Sequence, residues 1–130
     1  IDYTRNRSQF GGPISRFQAL RHRMADMLTR IEQARSLLYL AASRIEAGEP
    51  AARQQAVLAA KVLVADAAKY VGEQAVQLHG GMGLADECAV SHYFKRLLAS
   101  RLRLGSEGSN LTSYAMTMSA PELARPTKHS

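Results

Sequence analysis

The fold of this chain is decided by residues 15–47, which read SRFQALRHRMADMLTRIEQARSLLYLAASRIEA. Apolar side chains recur there at alternating intervals of three and four, which is the pattern of one face of an α-helix. They are Phe17, Leu20, Met24, Met27, Ile31, Ala34, Leu38, Ala41 and Ile45. At a rise of 1.5 Å per residue, the predicted helix is about 50 Å long. Pro13 precedes it, and Gly48 stands where a left-handed C-terminal cap is expected.

A second helix is predicted from Pro50, a residue that suits a first helical turn, to about His79. One face of this helix carries small and branched apolar residues at helical spacing. They are Val57, Ala60, Val64, Ala67, Val71, Ala75 and Leu78. The connection between the two helices is very short, and small residues let neighbouring helices approach closely. The two helices are therefore expected to be antiparallel neighbours.

A third helix is predicted after the glycine-rich segment 80–83, which ends the second one. Asp86 is a suitable N-cap for this helix, which would cover about residues 87–104. Glu87 lies in its first turn, where a negative charge is favoured by the helix dipole. Gly105 is expected to end it.

A shorter fourth helix is predicted from about Asn110 to Ser119, and Pro121 would stop it. The tail, residues 121–130, is polar and is expected to be frayed and flexible. No stretch alternates with period two for long enough to form a strand. The predicted fold is therefore an all-α antiparallel bundle of three long helices and a short C-terminal one.

The composition limits the possible functions. A chain of 130 residues with 46% hydrophobic and 22% charged residues is typical of one globular domain. It has no apolar run of about 18 residues and no visible signal peptide, so we expect no membrane span, and with only one cysteine a reducing, cytoplasmic location is the default. Its single cysteine, Cys88, excludes an internal disulfide and a multi-cysteine zinc site, and no metal site is predicted.

The net charge of +6 is compatible with nucleic acid, anionic lipid or a phosphate-rich small molecule as a partner. The basic residues are spread along the chain, and aromatic residues make up only 6% of it. That content is too low for stacking platforms on single-stranded nucleic acid. Nucleic-acid binding is therefore not expected.

Three segments are unusual for a plain helical bundle. The first is RSQFGGPI at residues 7–14, followed by Phe17-Gln18; the second is QLHGGMG at residues 77–83; the third is LGSEGS at residues 104–109. Their order and spacing resemble the C-terminal helical domain of flavin-dependent acyl-CoA dehydrogenases. The resemblance extends from about Tyr3 to Ala120.

This resemblance implies that residues 1–120 are one domain, the C-terminal helical bundle, followed by the flexible tail. Members of the family have an N-terminal helical domain and a middle β-domain before it. The chain would then be about a third of a longer protein, called the parent below. Residues 1–6 would be all that remains of the first helix of the bundle.

The first segment is implied to bind FAD. Arg7 matches the family arginine that reaches the flavin pyrophosphate, generally across the subunit interface; the alternative is a solvated arginine at a helix end. Gln9 occupies the adjacent contact position. Phe10 matches a residue that packs near the cofactor, and the alternative is an ordinary core aromatic. Gln18 matches a glutamine near the adenosine part of FAD.

The second segment is implied to lie along the ADP portion of the FAD bound to the partner subunit. The matching residues are Gln77, Gly80 and Gly81, and glycine permits a close backbone approach because it has no Cβ. The alternative is a glycine cap followed by a turn, which is compatible with cofactor contact. His79 has no partner at metal-ligand spacing and is interpreted as a structural or surface residue.

The third segment bears on catalysis. In the family, a glutamate followed by glycine and a small hydroxyl residue removes the α-proton of the acyl-CoA while the β-hydride passes to the flavin. Glu107-Gly108-Ser109 has this composition, but an ungapped count from the paired glycines places Leu104 at the position of the base. Glu107 is therefore either the base or a solvated residue near a helix start, where the dipole favours it.

The function implied by the resemblance is FAD-dependent α,β-dehydrogenation of an acyl-CoA thioester in fatty acid metabolism. Electrons would leave to an electron-transfer flavoprotein, and the parent would be a homo-oligomer, dimer or tetramer. The isolated chain is expected to be inactive. One alternative is a subunit without a base in a hetero-oligomeric dehydrogenase, and another is an unrelated helical binding module.

Overall fold

The computed structural model describes residues 1–85 and 88–119. Almost all of these residues are helical, which confirms the predicted all-α fold. In chain order the elements are α1 (Asp2–Asn6), β1 (Ser8–Gln9), β2 (Gly12–Pro13), a 3-10 turn (Ile14–Arg16), α2 (Gln18–Ala47), α3 (Pro50–His79), a 3-10 segment (Gly80–Leu84), α4 (Ala89–Leu104) and α5 (Glu107–Ser119). The bounds of α3 are those that the sequence predicted.

Helix α2 begins later than predicted. Residues 14–16 form a separate 3-10 turn, and Phe17 is extended before the helix begins at Gln18. The left-handed cap predicted at Gly48 is wrong, because this residue has φ −93° and ψ 150°, an extended conformation. A glycine is still required there, since a Cβ would lie 2.5 Å from the carbonyl oxygen of Arg44.

The starts of the last two helices also differ from prediction. Helix α4 begins at Ala89 with Cys88 as its N-cap residue, and the predicted cap Asp86 lies outside the described residues together with Glu87. Helix α5 begins at Glu107 rather than at Asn110, because the Ser106 hydroxyl accepts a hydrogen bond from the backbone N–H of Ser109 at 3.2 Å. Ser106 thus caps α5.

A small antiparallel hairpin, β1–β2, is an element that the sequence did not predict. Ser8 pairs with Pro13 and Gln9 with Gly12, so two residues, Phe10 and Gly11, form the turn. Both have positive φ, 54° and 86°, as a type I′ turn requires. Strands of two residues are too short to leave an alternating pattern in the sequence.

Helix α3 is the centre of the bundle, since α2, α4 and α5 all pack against it. The core between α2 and α3 is built on small residues: Ala41, Ala56 and Ala60 are buried. Against α4 the packing is equally close, because a Cβ on Gly72 would lie 2.8 Å from the ring of Phe94. Small side chains therefore allow the helix axes to approach closely.

Polar contacts fix the register of α2 and α3. Arg30 forms an ion pair with Asp66, and its guanidinium carbon lies 4.1 Å from the centroid of the Tyr70 ring. One heptad earlier, Nη1 of Arg23 is 3.5 Å from Oε1 of Gln74. Residues later in α2 thus contact residues earlier in α3, as expected for antiparallel helices.

The apolar stripe of α2 is only partly covered by the described chain. Ala34 and Ala41 are buried, but Leu38 is 52% exposed and Ile45 is 56% exposed. Among the described residues, the buried hydrophobic side chains are Ile14 and six alanines, and no large side chain is fully buried. The bundle therefore leaves a large apolar surface open on α2.

Candidate functional site

The residues that the sequence predicted to bind a cofactor lie at one end of the bundle. Because α2 and α3 are antiparallel, the start of α2 and the end of α3 lie at this end, together with α1 and the hairpin. The residues are Arg7, Gln9, Phe10, Gln18, Gln77, Gly80 and Gly81. The described structure thus brings the first and second segments into one region.

Arg7 lies between α1 and the hairpin. Its backbone N–H donates to the carbonyl of Tyr3 at 2.9 Å, and its own carbonyl accepts from Ile14 N–H at 2.9 Å. The guanidinium carbon stands 5.8 Å from the centroid of the Tyr3 ring, within the range of a cation–π contact. The side chain of Arg7 is half-buried, while the neighbouring Gln9 is exposed.

Phe10 is not part of the core of this chain, because its side chain is 92% exposed at the tip of the hairpin. Its positive φ of 54° is unfavourable for a bulky residue. The ring makes an edge contact with Phe17, with centroids 6.1 Å apart and an interplanar angle of 85°. Gln18, which follows Phe17, is exposed at the start of α2 beside this contact.

The paired glycines after α3 have different local environments. Gly80 has φ 63° and ψ −148°, a conformation open essentially to glycine alone, and its N–H donates to the carbonyl of Gln77. Gly80 is therefore needed as the cap of α3. Gly81 has no positive φ, and no atom of the described chain lies within 4 Å of a Cβ built on it. Nothing among the described residues requires a glycine at position 81.

The third segment, residues 104–109, lies away from the end of the bundle that holds Arg7. Helix α4 runs back along α3 for 16 residues, about 24 Å at the usual rise, before Gly105 ends it with φ 92°. Glu107 is the first residue of α5, and its carboxylate lies 3.4 Å from Nη2 of Arg101 on α4. It is not brought together with the residues around Arg7.

A buried asparagine, which the sequence analysis did not single out, holds the third segment in shape. Asn110 is 7% exposed, and its Nδ2 donates to the carbonyl of Leu104 at 2.9 Å. This bond ties the first turn of α5 to the end of α4 across Gly105. A buried amide at this position leaves no periodic signal in the sequence.

Among the described residues, no group of three or more His, Cys, Asp or Glu is arranged to hold a metal ion. In the same part of the chain, no helix is both long enough and apolar enough to cross a membrane. The polar groups around Arg7 therefore include its own guanidinium and the amides of the nearby glutamines. They lie beside the Phe10 ring and the backbone of Gly80 and Gly81.

Comparison with known proteins shows which family the chain is similar to. Residues 1–119 match the family "Acyl-CoA dehydrogenase, C-terminal domain". The short-chain specific acyl-CoA dehydrogenase of Megasphaera elsdenii is 33% identical over 117 residues, which are 90% of this chain and 29% of that protein. The chain thus spans under a third of that relative.

Solved structures are also similar to this chain. A structure described as an FAD-dependent dehydrogenase is 32% identical with a TM-score of 0.84, covering 91% of this chain and 31% of the other. The ChsE4–ChsE5 complex from Mycobacterium tuberculosis contains a chain that is 28% identical with a TM-score of 0.81. The match covers 97% of this chain and 33% of that one.

Proposed function

The chain belongs to the acyl-CoA dehydrogenase family, whose C-terminal domain it matches, and on that premise we propose that it is the flavin-binding helical domain of an FAD-dependent acyl-CoA dehydrogenase. The observation that carries the proposal is the gathering of Arg7, the hairpin, Gln18 and the Gly80–Gly81 turn at one end of the bundle. The parent would convert an acyl-CoA thioester to its α,β-unsaturated product.

The residues at this end fit FAD. A guanidinium offers several fixed donors to pyrophosphate oxygens, which suits Arg7. No described atom of the chain would contact a Cβ at Gly81, so a glycine there supports a close approach by a group from outside the described residues. Phe10 presents an exposed ring. Bound FAD supplies the acceptor for the hydride that leaves the β-carbon of the thioester.

This chain's own contribution is to hold the ADP portion of the cofactor. Arg7 neutralises phosphate charge, while Gln9, Gln18 and Gln77 offer exposed amides for hydrogen bonds. The isolated chain is inactive in this account, since the rest of the flavin site and the acyl pocket belong to the remainder of the parent.

Purification of the parent tests whether it binds FAD. About one FAD per chain is expected, and a parent without flavin would contradict the proposal.

The two glycines are expected to respond differently to alanine. Gly80→Ala should lower the stability of the flavin-free parent by about 1–3 kcal/mol, because it forces a glycine-only backbone conformation. Gly81→Ala should leave that stability nearly unchanged but weaken FAD binding. Denaturant unfolding of the apoprotein and titration with FAD measure the two effects. If Gly81→Ala binds FAD as tightly as the wild type, close approach at Gly81 is wrong.

Glu107 has two possible roles, the base or a residue that starts α5, and we propose the second. Its carboxylate is half-exposed and paired with Arg101, and it stands at the first position of α5, where the helix dipole favours a negative charge. An ungapped count from the paired glycines places Leu104 at the position of the base, which supports this assignment. In this proposal the base is a carboxylate of the parent outside the described residues.

The Glu107→Gln variant of the parent separates these roles. We expect kcat to stay within about threefold of wild type, since the loss of a positioned base costs about 100-fold or more. Glu32→Gln is a matched control, because Glu32 is also half-exposed and pairs with an arginine of its own helix, Arg35, at 3.0 Å. A loss of 100-fold confined to Glu107→Gln would identify Glu107 as the base.

The proposed partners follow from the reaction. The reduced cofactor must pass its electrons on, and we propose an electron-transfer flavoprotein as the acceptor. The open apolar surface of α2 supports a homo-oligomeric parent, dimer or tetramer. Family membership excludes an unrelated helical binding module.

A subunit without a base in a hetero-oligomer is the second candidate. Leu104 at the position of the base favours it, and a similar chain occurs in the ChsE4–ChsE5 complex. In that case the purified parent would retain flavin but not turn over without a second subunit.

A further inference from the structure

We propose that Tyr3 and His79 form a stacked pair that fixes Arg7 relative to the Gly80–Gly81 turn, so that both are positioning residues for FAD binding. This inference rests on the proposed function, since it concerns the same site. It assigns a role to Tyr3, which no sequence motif singles out, and to His79, which the sequence marks only as a structural or surface residue.

The two cofactor-binding segments are far apart in the sequence, and Tyr3 joins them. Its ring lies 3.9 Å from the imidazole of His79 between centroids, with an interplanar angle of 19°. Its hydroxyl donates to the backbone carbonyl of His79 at 3.3 Å. Tyr3 thus contacts both the side chain and the main chain of the residue that immediately precedes Gly80.

The imidazole is itself held in place. Nδ1 of His79 lies 2.8 Å from the carbonyl oxygen of Ala75, one helical turn earlier. Because a carbonyl only accepts hydrogen bonds, Nδ1 carries the proton and donates it. The ring plane that Tyr3 stacks on is therefore fixed to the last turn of α3.

Arg7 is fixed to the other side of this pair. Its backbone N–H donates to Tyr3 O, and its guanidinium lies over the Tyr3 ring at 5.8 Å. Thr4, next to Tyr3, is 2% exposed, and its hydroxyl oxygen lies 3.5 Å from the sulfur of Met24. This contact anchors α1 on α2. The position of Arg7 relative to Gly80 therefore depends on the Tyr3–His79 pair, beside the anchoring of α1 on α2.

Such a contact is a positioning device because FAD must meet both segments at once. Fixing two groups before binding removes the cost of ordering them on binding. Losing the stack would leave Arg7 and the glycine turn each intact but less firmly fixed relative to each other. FAD affinity should then fall more than the stability of the flavin-free protein.

The test uses the parent with FAD removed, titrated with FAD and, separately, unfolded thermally. Tyr3→Leu should raise the Kd for FAD about tenfold or more, with an apoprotein midpoint within a few degrees of wild type. Tyr3→Phe and His79→Phe keep the stacked rings and should stay within about threefold. Tyr39→Leu is the matched control, because Tyr39 is 71% exposed in the middle of α2.

The outcomes are separable. A wild-type parent that binds no FAD would overturn the proposed function and this inference with it. If the wild type binds FAD and Tyr3→Leu binds equally well, the stacked pair has no positioning role. A Kd that rises as much in Tyr3→Phe and His79→Phe as in Tyr3→Leu would also overturn it. If Tyr3→Leu does not fold, a Kd about tenfold or more above wild type in both of these variants overturns the inference, and a Kd within about threefold supports it.

Discussion

Replacing Arg7 with alanine in the parent is expected to weaken FAD binding by about 100-fold. Two charge-assisted hydrogen bonds to pyrophosphate oxygens are worth about 3 kcal/mol in total, and 1.4 kcal/mol corresponds to a factor of ten. The Arg7 side chain is half-buried and makes a cation–π contact with Tyr3 that is worth about 0.5–1 kcal/mol, so the fold should survive the change. Titration of the apoprotein with FAD measures the effect.

Arg5→Ala is the matched control for this experiment. Arg5 lies two residues earlier, on α1, and its guanidinium is 3.9 Å from Asp2 with a side chain that is 70% exposed. Its loss removes the same charge and should change the Kd for FAD less than threefold. Equal effects of Arg5→Ala and Arg7→Ala would mean that only the net charge matters and would contradict a specific contact.

The second large effect concerns the chain by itself. Residues 1–130 alone are expected to self-associate, because the apolar stripe of α2 is left open and no large side chain is fully buried among the described residues. Analytical ultracentrifugation at about 10 µM should give a mass of at least two chains of 14.2 kDa. A dye that fluoresces on apolar surfaces should bind strongly.

Changing the stripe tests the cause of this association. The double variant Leu38→Gln, Ile45→Gln removes two half-exposed apolar side chains from α2 and should shift the chain toward monomer. Leu102→Gln removes an exposed leucine from α4 and serves as the control. A wild-type chain that stays a clean monomer on dilution would show that the bundle is self-sufficient.

The fold could be predicted where the sequence contains strong stop and start signals. Pro50 and Gly80 mark the bounds of α3, and the structure confirms both. Helix α5 begins three residues before the predicted start, because the cap is Ser106 and the first turn contains Gly108. The hairpin turn at Phe10 and Gly11 was not predicted, because strands of two residues show no alternation.

The candidate site could be predicted only in part. The sequence motifs mark Arg7 and the paired glycines, but they do not show that Gly80 caps α3 whereas a Cβ at Gly81 would contact none of the described residues. The Tyr3–His79 contact joins residues that are 76 positions apart, so no local pattern contains it. Periodicity likewise shows which face of α2 is apolar, but not whether this chain covers it.

The most direct test of the proposed dehydrogenase activity is an anaerobic titration of the purified parent with a panel of acyl-CoA thioesters. The absorption band of oxidised flavin is followed during the titration. We expect at least one class of thioester to bleach the band, because the substrate delivers its hydride to the bound cofactor. A bound flavin that no thioester bleaches would contradict the dehydrogenase activity and favour the subunit without a base, and a parent with no flavin would contradict the cofactor site itself.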